Sequence, residues 1–143
     1  MIIEKNPKVL REYGRAVAHI NAVEFLLTIV ITQKAGISEK AADALFSDMM
    51  IGKKIEIVKK LKLVDSHIVK HLWKLNEKRK LLAHGVTSVT IEWERAMKDQ
   101  VDIVYKKQKK PLTEEFLSET TNGAKEIFVK LFEELCKFLD KPN

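Results

Sequence analysis

The sequence predicts an all-α protein, an up-down bundle of four principal helices with a short helix break and a small β-hairpin inserted before the last helix. Three observations predict this class. Apolar residues recur every three or four positions along most of the chain, the spacing that lines one face of a helix. Only five Gly and three Pro interrupt the 143 residues. One stretch after residue 85 instead alternates apolar and polar residues, which is typical of strands.

The composition is that of one folded domain covering residues 1–143. A hydrophobic content of 45% with 32% charged residues excludes a disordered or low-complexity chain. The single cysteine, Cys136, excludes an internal disulfide and a cysteine-rich zinc site. No apolar run approaches the roughly eighteen residues needed to span a bilayer, and the N-terminus lacks a signal-peptide pattern. We therefore expect a cytoplasmic protein that does not enter a membrane.

Capping residues and glycines mark the boundaries of the first helices. Asn6 followed by Pro7 predicts the start of a helix of about 28 residues that ends at Gly36. Ser38 is expected to cap a second helix. Gly52 marks the break before a short basic helix.

Two further long helices are predicted in the second half of the chain. Asp65 or Ser66 caps the first of them, which ends at Gly85, the usual position just after a helix C-terminus. Thr113 is expected to cap the last helix.

The hairpin is predicted within an insertion at about residues 87–106. Apolar and polar residues alternate along 89–94 and 101–106, so these segments are the expected strands, with a turn near 96–99. The lysine-rich run 106–110 is interpreted as a solvated connector.

Positive charge is concentrated in one part of the chain. The net charge is +6, and residues 51–80, called here the basic block, hold ten basic side chains against three acidic ones, an excess of +7. Such clustering suggests an anionic partner such as nucleic acid. A pair of lysine-rich, solvated helix faces is the alternative interpretation.

Two charged residues fall on apolar faces of the predicted helices. At 100° per residue, Arg79 and Glu24 each lie within the apolar stripe of their own helix. Because an unpaired buried charge costs several kcal/mol, we expect these two side chains to contact each other, or Arg79 to face a polar cleft. His84 lies at the end of the same helix as Arg79, where the helix terminus favours the imidazolium form.

The segment that contains these residues resembles a known family signature. Residues 75–85 read Leu-Asn-Glu-Lys-Arg-Lys-Leu-Leu-Ala-His-Gly. This is similar to the motif of the HEPN superfamily, in which an Arg, four to six intervening residues and a His close a helix of a four-helix bundle. In that family the pair forms the active site of metal-independent endoribonucleases. Lys80 departs from the pattern, because Asn, Asp or His often follows the family's Arg, and Val86 replaces the Tyr of one toxin subgroup.

The resemblance implies a HEPN-like domain and a reaction. The ribose 2′-OH of RNA would attack the adjacent phosphate, leaving a 2′,3′-cyclic phosphate and a 5′-OH, with no metal and no cofactor. His84 would act as general base or acid and Arg79 would stabilise the charge on the phosphorane. Glu24 and Asn76 would support the pair, with Asn76 orienting the substrate or the His.

The resemblance also implies partners. A homodimer would bring two Arg79/His84 pairs together, and a toxin–antitoxin or antiviral-defence setting would add an antitoxin or another protein partner. RNA would be held through lysines of the basic block. These expected RNA-binding residues are Lys53, Lys54, Lys59, Lys60, Lys62, Lys78 and Lys80.

Two alternatives stay open. A non-catalytic HEPN-like module could bind RNA, a nucleotide or a partner protein, with Arg79 as a structural ion-pair partner. A small helical partner subunit could instead use exposed apolar residues, with Trp93 or Tyr105 on its interface. His67 and His71, four residues apart, are interpreted as a surface pair rather than a metal site, because the sequence offers no third ligand nearby.

Overall fold

The computed structural model describes residues 6–84, 86–88, 101–105 and 108–141. These residues form a helical, bundle-like fold, as predicted, together with three short strands. The helices are α1 (Pro7–Lys34), α2 (Glu39–Phe46), α3 (Ile51–Lys60), α4 (Ser66–His84) and α5 (Glu114–Leu139). The strands are β1 (Val86–Ser88), β2 (Val101–Tyr105) and β3 (Gln108–Leu112).

The helices begin where the capping residues predict. The side chains of Asn6, Ser38 and Thr113 each accept a hydrogen bond from the backbone N–H three residues further on, at 3.1–3.2 Å. These contacts satisfy N–H groups that have no partner inside the helix. Asp65 caps α4, because its carboxylate accepts the His67 N–H at 2.7 Å. The choice between Asp65 and Ser66 is thereby decided.

Contacts at the helix ends fix the directions of the long helices. Near the start of α1, the Tyr13 hydroxyl donates to the Leu82 carbonyl near the end of α4, at 2.9 Å. At the other end of α1, Lys34 bonds the Leu63 carbonyl just before α4 begins, and it also pairs with Glu134 late in α5. Helix α4 therefore runs antiparallel to α1, and α5 runs parallel to α1.

One hydrophobic core joins these helices. The most extensive packing is between α1 and α5, and α3 and α4 pack against both each other and α1. Burying such side chains is the main favourable term in folding. The largest fully buried side chains are Ile20, Val23, Leu27, Ile31, Ile51, Ile55, Leu72, Leu112, Leu117 and Leu131.

The strands form an antiparallel sheet in the order β1-β2-β3, between α4 and α5. Val86 is opposite Val104, and Val101 is opposite Leu112. Leu112 is fully buried, so it anchors the sheet to the helical core. The expected strand 89–94 and its turn lie outside the described residues.

The interpretation of residues 106–110 as a connector is wrong for the part that the structure describes. Residues 108–110 belong to β3, which pairs with β2 through residue 112. In the described sheet β3 is an edge strand, and edge strands accommodate Lys and Pro because one side needs no partner. The lysines and Pro111 are unusual in a strand, so the sequence pattern did not predict β3.

By length and composition, α1 is long and apolar enough to cross a membrane, which corrects the expectation that no segment of the chain is. It is the one such helix among the described residues, and 44% of the apolar window is buried inside the protein. The core helix of a soluble protein passes the same test, so the location of the protein in the cell stays a prediction.

Candidate functional site

The last turns of α4 carry the residues of the predicted site. The helix is regular through His84, and the bond from Tyr13 to the Leu82 carbonyl holds its end against α1. That bond also satisfies one of the four carbonyls that a helix leaves without partners at its C-terminus. The backbone that presents Arg79 and His84 is therefore fixed by tertiary structure. The side chain of His84 lies outside the described part.

Arg79 is half-buried and contacts an amide rather than a carboxylate. Its Nε donates to Asn76 Oδ1 at 3.2 Å. Among the described residues no acidic side chain forms a salt bridge with it. Since a guanidinium has five N–H donors, four remain for another acceptor. Arg79 is thus a cation in the apolar stripe of α4 without a counter-charge in the described structure.

The expected contact between Glu24 and Arg79 is wrong. Glu24 pairs with Lys54 at 3.2 Å. The reason is axial height: with Tyr13 opposite Leu82 on antiparallel helices, Arg79 is level with residue 16 of α1. That level is eight residues, or about 12 Å, from Glu24 along the helix axis. Glu24 therefore does not support Arg79 directly, and its part is to neutralise Lys54.

The same contact removes Lys54 from the expected RNA-binding set. The Lys54 side chain is 7% exposed, against 28% for Glu24. A buried ammonium needs its counter-charge, because breaking such a pair leaves an uncompensated charge in the interior. Lys54 is thus a structural residue at the α1–α3 contact and is not free to bind a phosphate.

Asn76 is the buried polar residue behind Arg79. It is 1% exposed, and its Nδ2 has no hydrogen-bond partner among the described residues. A Cβ added at Gly52 would lie 3.5 Å from this nitrogen, which places the amide against α3. Because its Oδ1 receives the Arg79 Nε–H, Asn76 positions the guanidinium. Its burial opposes the expected contact with substrate.

The other expected RNA-binding lysines differ in their surroundings. Lys53 and Lys80 make ion pairs with acidic residues three positions away, at 3.6 and 3.3 Å. Such surface pairs are weak and exchange readily with another anion. Lys78 is half-buried. Exposed and outside any salt bridge in the described structure are Lys59, Lys60 and Lys62.

A groove that the sequence analysis did not single out lies beside these exposed lysines. It has a volume of about 680 Å³ and lies between the end of α3 and the first half of α4. Five residues of α4 contribute to it, and none was among the expected site residues. The three with charged or aromatic side chains are Lys70, Trp73 and Lys74. Their spacing of three and four positions, which places them on one helix face, is the signal that was available in the sequence.

Two of the three histidines of α4, His67 and His71, are arranged as a surface pair. The rings of His67 and His71 have centroids 4.4 Å apart, and His71 Nδ1 lies 2.8 Å from the His67 carbonyl. No group of three or more potential metal ligands is found in the part of the chain that the structure describes.

Comparisons with known proteins add no relative. The chain matches no protein-family model, no curated protein and no solved structure. The HEPN resemblance therefore depends on residues 75–85 and on the helical layout.

Proposed function

We propose that this protein is a metal-independent endoribonuclease of HEPN type, with Arg79 and His84 as its catalytic residues. One observation carries the proposal. Arg79 is half-buried in the apolar stripe of α4, is held in place by Asn76 and forms no salt bridge with any described residue. An arginine without a counter-charge is costly to retain in such a position. A phosphate would supply the missing anion, and a guanidinium binds phosphate through two parallel hydrogen bonds.

The chemistry follows from the two groups. The ribose 2′-oxygen forms a bond to the adjacent phosphorus, and the bond from phosphorus to the 5′-oxygen breaks. The 2′-OH proton leaves to a base and the 5′-oxygen receives a proton, so one histidine can serve either step. Arg79 stabilises the charge that develops on the phosphate oxygens. The products are a 2′,3′-cyclic phosphate and a 5′-OH.

The backbone limits where the phosphate can lie. On a regular helix, the Cα atoms of Arg79 and His84 are about 7.5 Å apart along the axis and about 140° apart around it. The two groups therefore approach a shared phosphate from different sides of the end of α4. A second protomer contributing its own pair across a two-fold axis would complete such a site, so a homodimer is part of the proposal.

The finer fold assignment belongs to the same proposal. We infer four principal helices around the core, with α2 and α3 on either side of the helix break. The expected up-down order is not kept, because α4, the third of them, runs antiparallel to α1 and α5 runs parallel to it, whereas strict alternation makes the first and third helices parallel. Exposed Phe128, Val129 and Phe132 on α5 offer apolar surface to a second protomer. A cytoplasmic toxin or antiviral-defence setting is the context in which we place the activity.

The test is cleavage of a labelled single-stranded RNA in EDTA. Arg79→Ala and His84→Ala are compared with Arg15→Ala and His71→Ala, which remove the same residue types from other surfaces of the described structure. We expect the first two variants to lose about 100-fold or more in rate and the controls to match the wild type. Cyclic-phosphate ends should appear on the product. Equal cleavage by all five proteins would overturn the proposal.

The non-catalytic module stays as a second candidate, because the 140° between Arg79 and His84 separates the two residues in one protomer. In that case both variants would bind RNA like the wild type, and none of the proteins would cleave it.

A further inference from the structure

The groove described above has four lysines on its rim and no acidic residue in its lining. We call it the lysine groove. Among the described residues, none of its lysines forms a salt bridge. Four cations that share a concave surface raise the local potential and attract a chain of negative charges. The groove is lined by Lys59, Lys62, Val64, Ser66, Val69, Lys70, Trp73 and Lys74.

One of these lysines occupies a backbone position that lysine rarely adopts. Lys62 has φ +52°, in the left-handed region, at the turn that ends α3. Glycine is the usual residue there, because a side chain is strained in this conformation. The strained lysine places an additional cation on the rim of the groove, and strain of this kind is concentrated at functional sites.

Trp73 gives the groove an aromatic surface. One part of the half-buried indole packs against the core, and a Cβ added at Gly52 of α3 would lie 3.9 Å from its Cζ3. Another part lines the groove. An aromatic side chain anchored in this way stacks well with an unpaired base, whereas the bases of a duplex are already stacked on each other.

We propose that the lysine groove binds single-stranded RNA, with backbone phosphates on its four lysines and a base stacked on Trp73. This inference rests on the proposed function and names its substrate class as single-stranded. Stacking selects single strands over duplex, and the lysines contact phosphate without regard to sequence.

The groove and His84, one of the two proposed catalytic residues, share one side of α4, whereas Arg79 lies about 120° around the axis from Trp73. At 100° per residue, the Cα of His84 is about 20° around the axis from that of Trp73 and about 16.5 Å further along it. Lys80 lies on the same side. An RNA strand held in the groove and following α4 therefore reaches the helix end that carries His84.

The experiment measures binding in a protein that cannot cleave. In a His84→Ala background, Lys59, Lys62, Lys70 and Lys74 are changed to Gln together. A matched control changes four exposed lysines on other surfaces to Gln: Lys8, Lys40, Lys125 and Lys141. Both proteins are titrated with a fluorescent single-stranded RNA and with a duplex of the same sequence, at several salt concentrations.

We expect the groove variant to lose at least tenfold in affinity for the single strand and the control to stay within about twofold. The slope of log affinity against log salt should fall by about 3, because each phosphate contact on a single strand contributes about 0.7. Duplex should bind more weakly than single strand to the unchanged groove. Equal affinity of the groove and control variants would overturn the proposal.

A second measurement follows Trp73 directly. The chain has two tryptophans, so a Trp93→Phe change leaves Trp73 as the only indole emission. Single-stranded RNA should quench this emission and duplex should not, whereas equal quenching by both would contradict stacking. Trp73→Leu, which keeps an apolar side chain, should cost roughly five- to 150-fold in affinity.

The two proposals can fail separately. If the wild type cleaved RNA but the groove variant lost no affinity, the proposal for the lysine groove would be wrong and the ribonuclease proposal would stand. If the groove bound RNA tightly but the wild type did not cleave it, the ribonuclease proposal would be wrong and the protein would be a module that binds single-stranded RNA.

Discussion

Helices α1 and α3 end in the same backbone turn but carry different residues at its critical position. In both turns a backbone N–H donates to the carbonyl five residues earlier, at 2.9 Å after α1 and 3.0 Å after α3. The residue before this N–H has a positive φ, +66° at Gly36 and +52° at Lys62. This is the Schellman arrangement, which usually places a glycine there.

The residue at the positive-φ position has a different effect in each turn. Gly36 fits the conformation without strain, whereas Lys62 is strained but adds a positive charge. Gly36 adopts a left-handed conformation without steric cost, whereas a residue with a side chain loses about 1–2 kcal/mol. The α3 turn borders the lysine groove and the α1 turn does not. A residue that lowers stability at a binding surface is typical of a compromise between stability and function.

The largest loss of stability should come from breaking the ion pair that Glu24 makes with Lys54, the structural lysine of the basic block. Changing Glu24 to Gln leaves buried Lys54 without its counter-charge, so the free energy of unfolding should fall by about 3 kcal/mol. Urea denaturation measures this change. The double variant Glu24→Gln/Lys54→Met should recover most of the loss and leave RNA affinity unchanged. A single variant as stable as the wild type would show that Lys54 is not held by this pair.

Exchanging the residues of the two turns tests the comparison itself. Lys62→Gly should raise the free energy of unfolding by about 1 kcal/mol, because it removes the strain. It should also reduce the salt slope of RNA binding by about 0.7. Gly36→Lys should lower stability by about 1–2 kcal/mol with no gain in affinity. If Lys62→Gly stabilised the protein and left RNA binding intact, the lysine would have no role in the groove.

The smallest effect concerns the end of α4. Tyr13→Phe removes the bond to the Leu82 carbonyl and should cost about 1 kcal/mol in unfolding free energy. Hydrogen exchange of the amides in the last turn of α4 should speed up, since that turn would be held less firmly. Unchanged exchange at those amides would mean that α1 does not hold the site.

The sequence predicted well the features that depend on local chemistry. Asn6, Ser38 and Thr113 begin their helices as expected, because a cap needs only a side-chain oxygen and the next turn of backbone. The end of α4 at His84 was predicted in the same local way, from the glycine that comes next in the sequence. The position of Arg79 in an apolar stripe was visible too, since periodicity shows the face of a helix.

Features that depend on how helices meet could not be predicted. Periodicity does not give the axial height at which one helix faces another. Glu24 was therefore expected to contact Arg79, whereas it pairs with Lys54. The groove is formed by two helices and a turn, and the positive φ of Lys62 has no signal in the sequence.

The most direct test of the whole account separates binding from chemistry. The single-turnover cleavage rate at saturating single-stranded RNA in EDTA is measured for the wild type, Lys62→Gly and Arg79→Ala. We expect Lys62→Gly to require more RNA to saturate but then to cleave at the wild-type rate, because Lys62 only holds the strand. Arg79→Ala should lose about 100-fold or more in cleavage rate, however much RNA is added. A wild-type rate at saturation for Arg79→Ala would contradict the account.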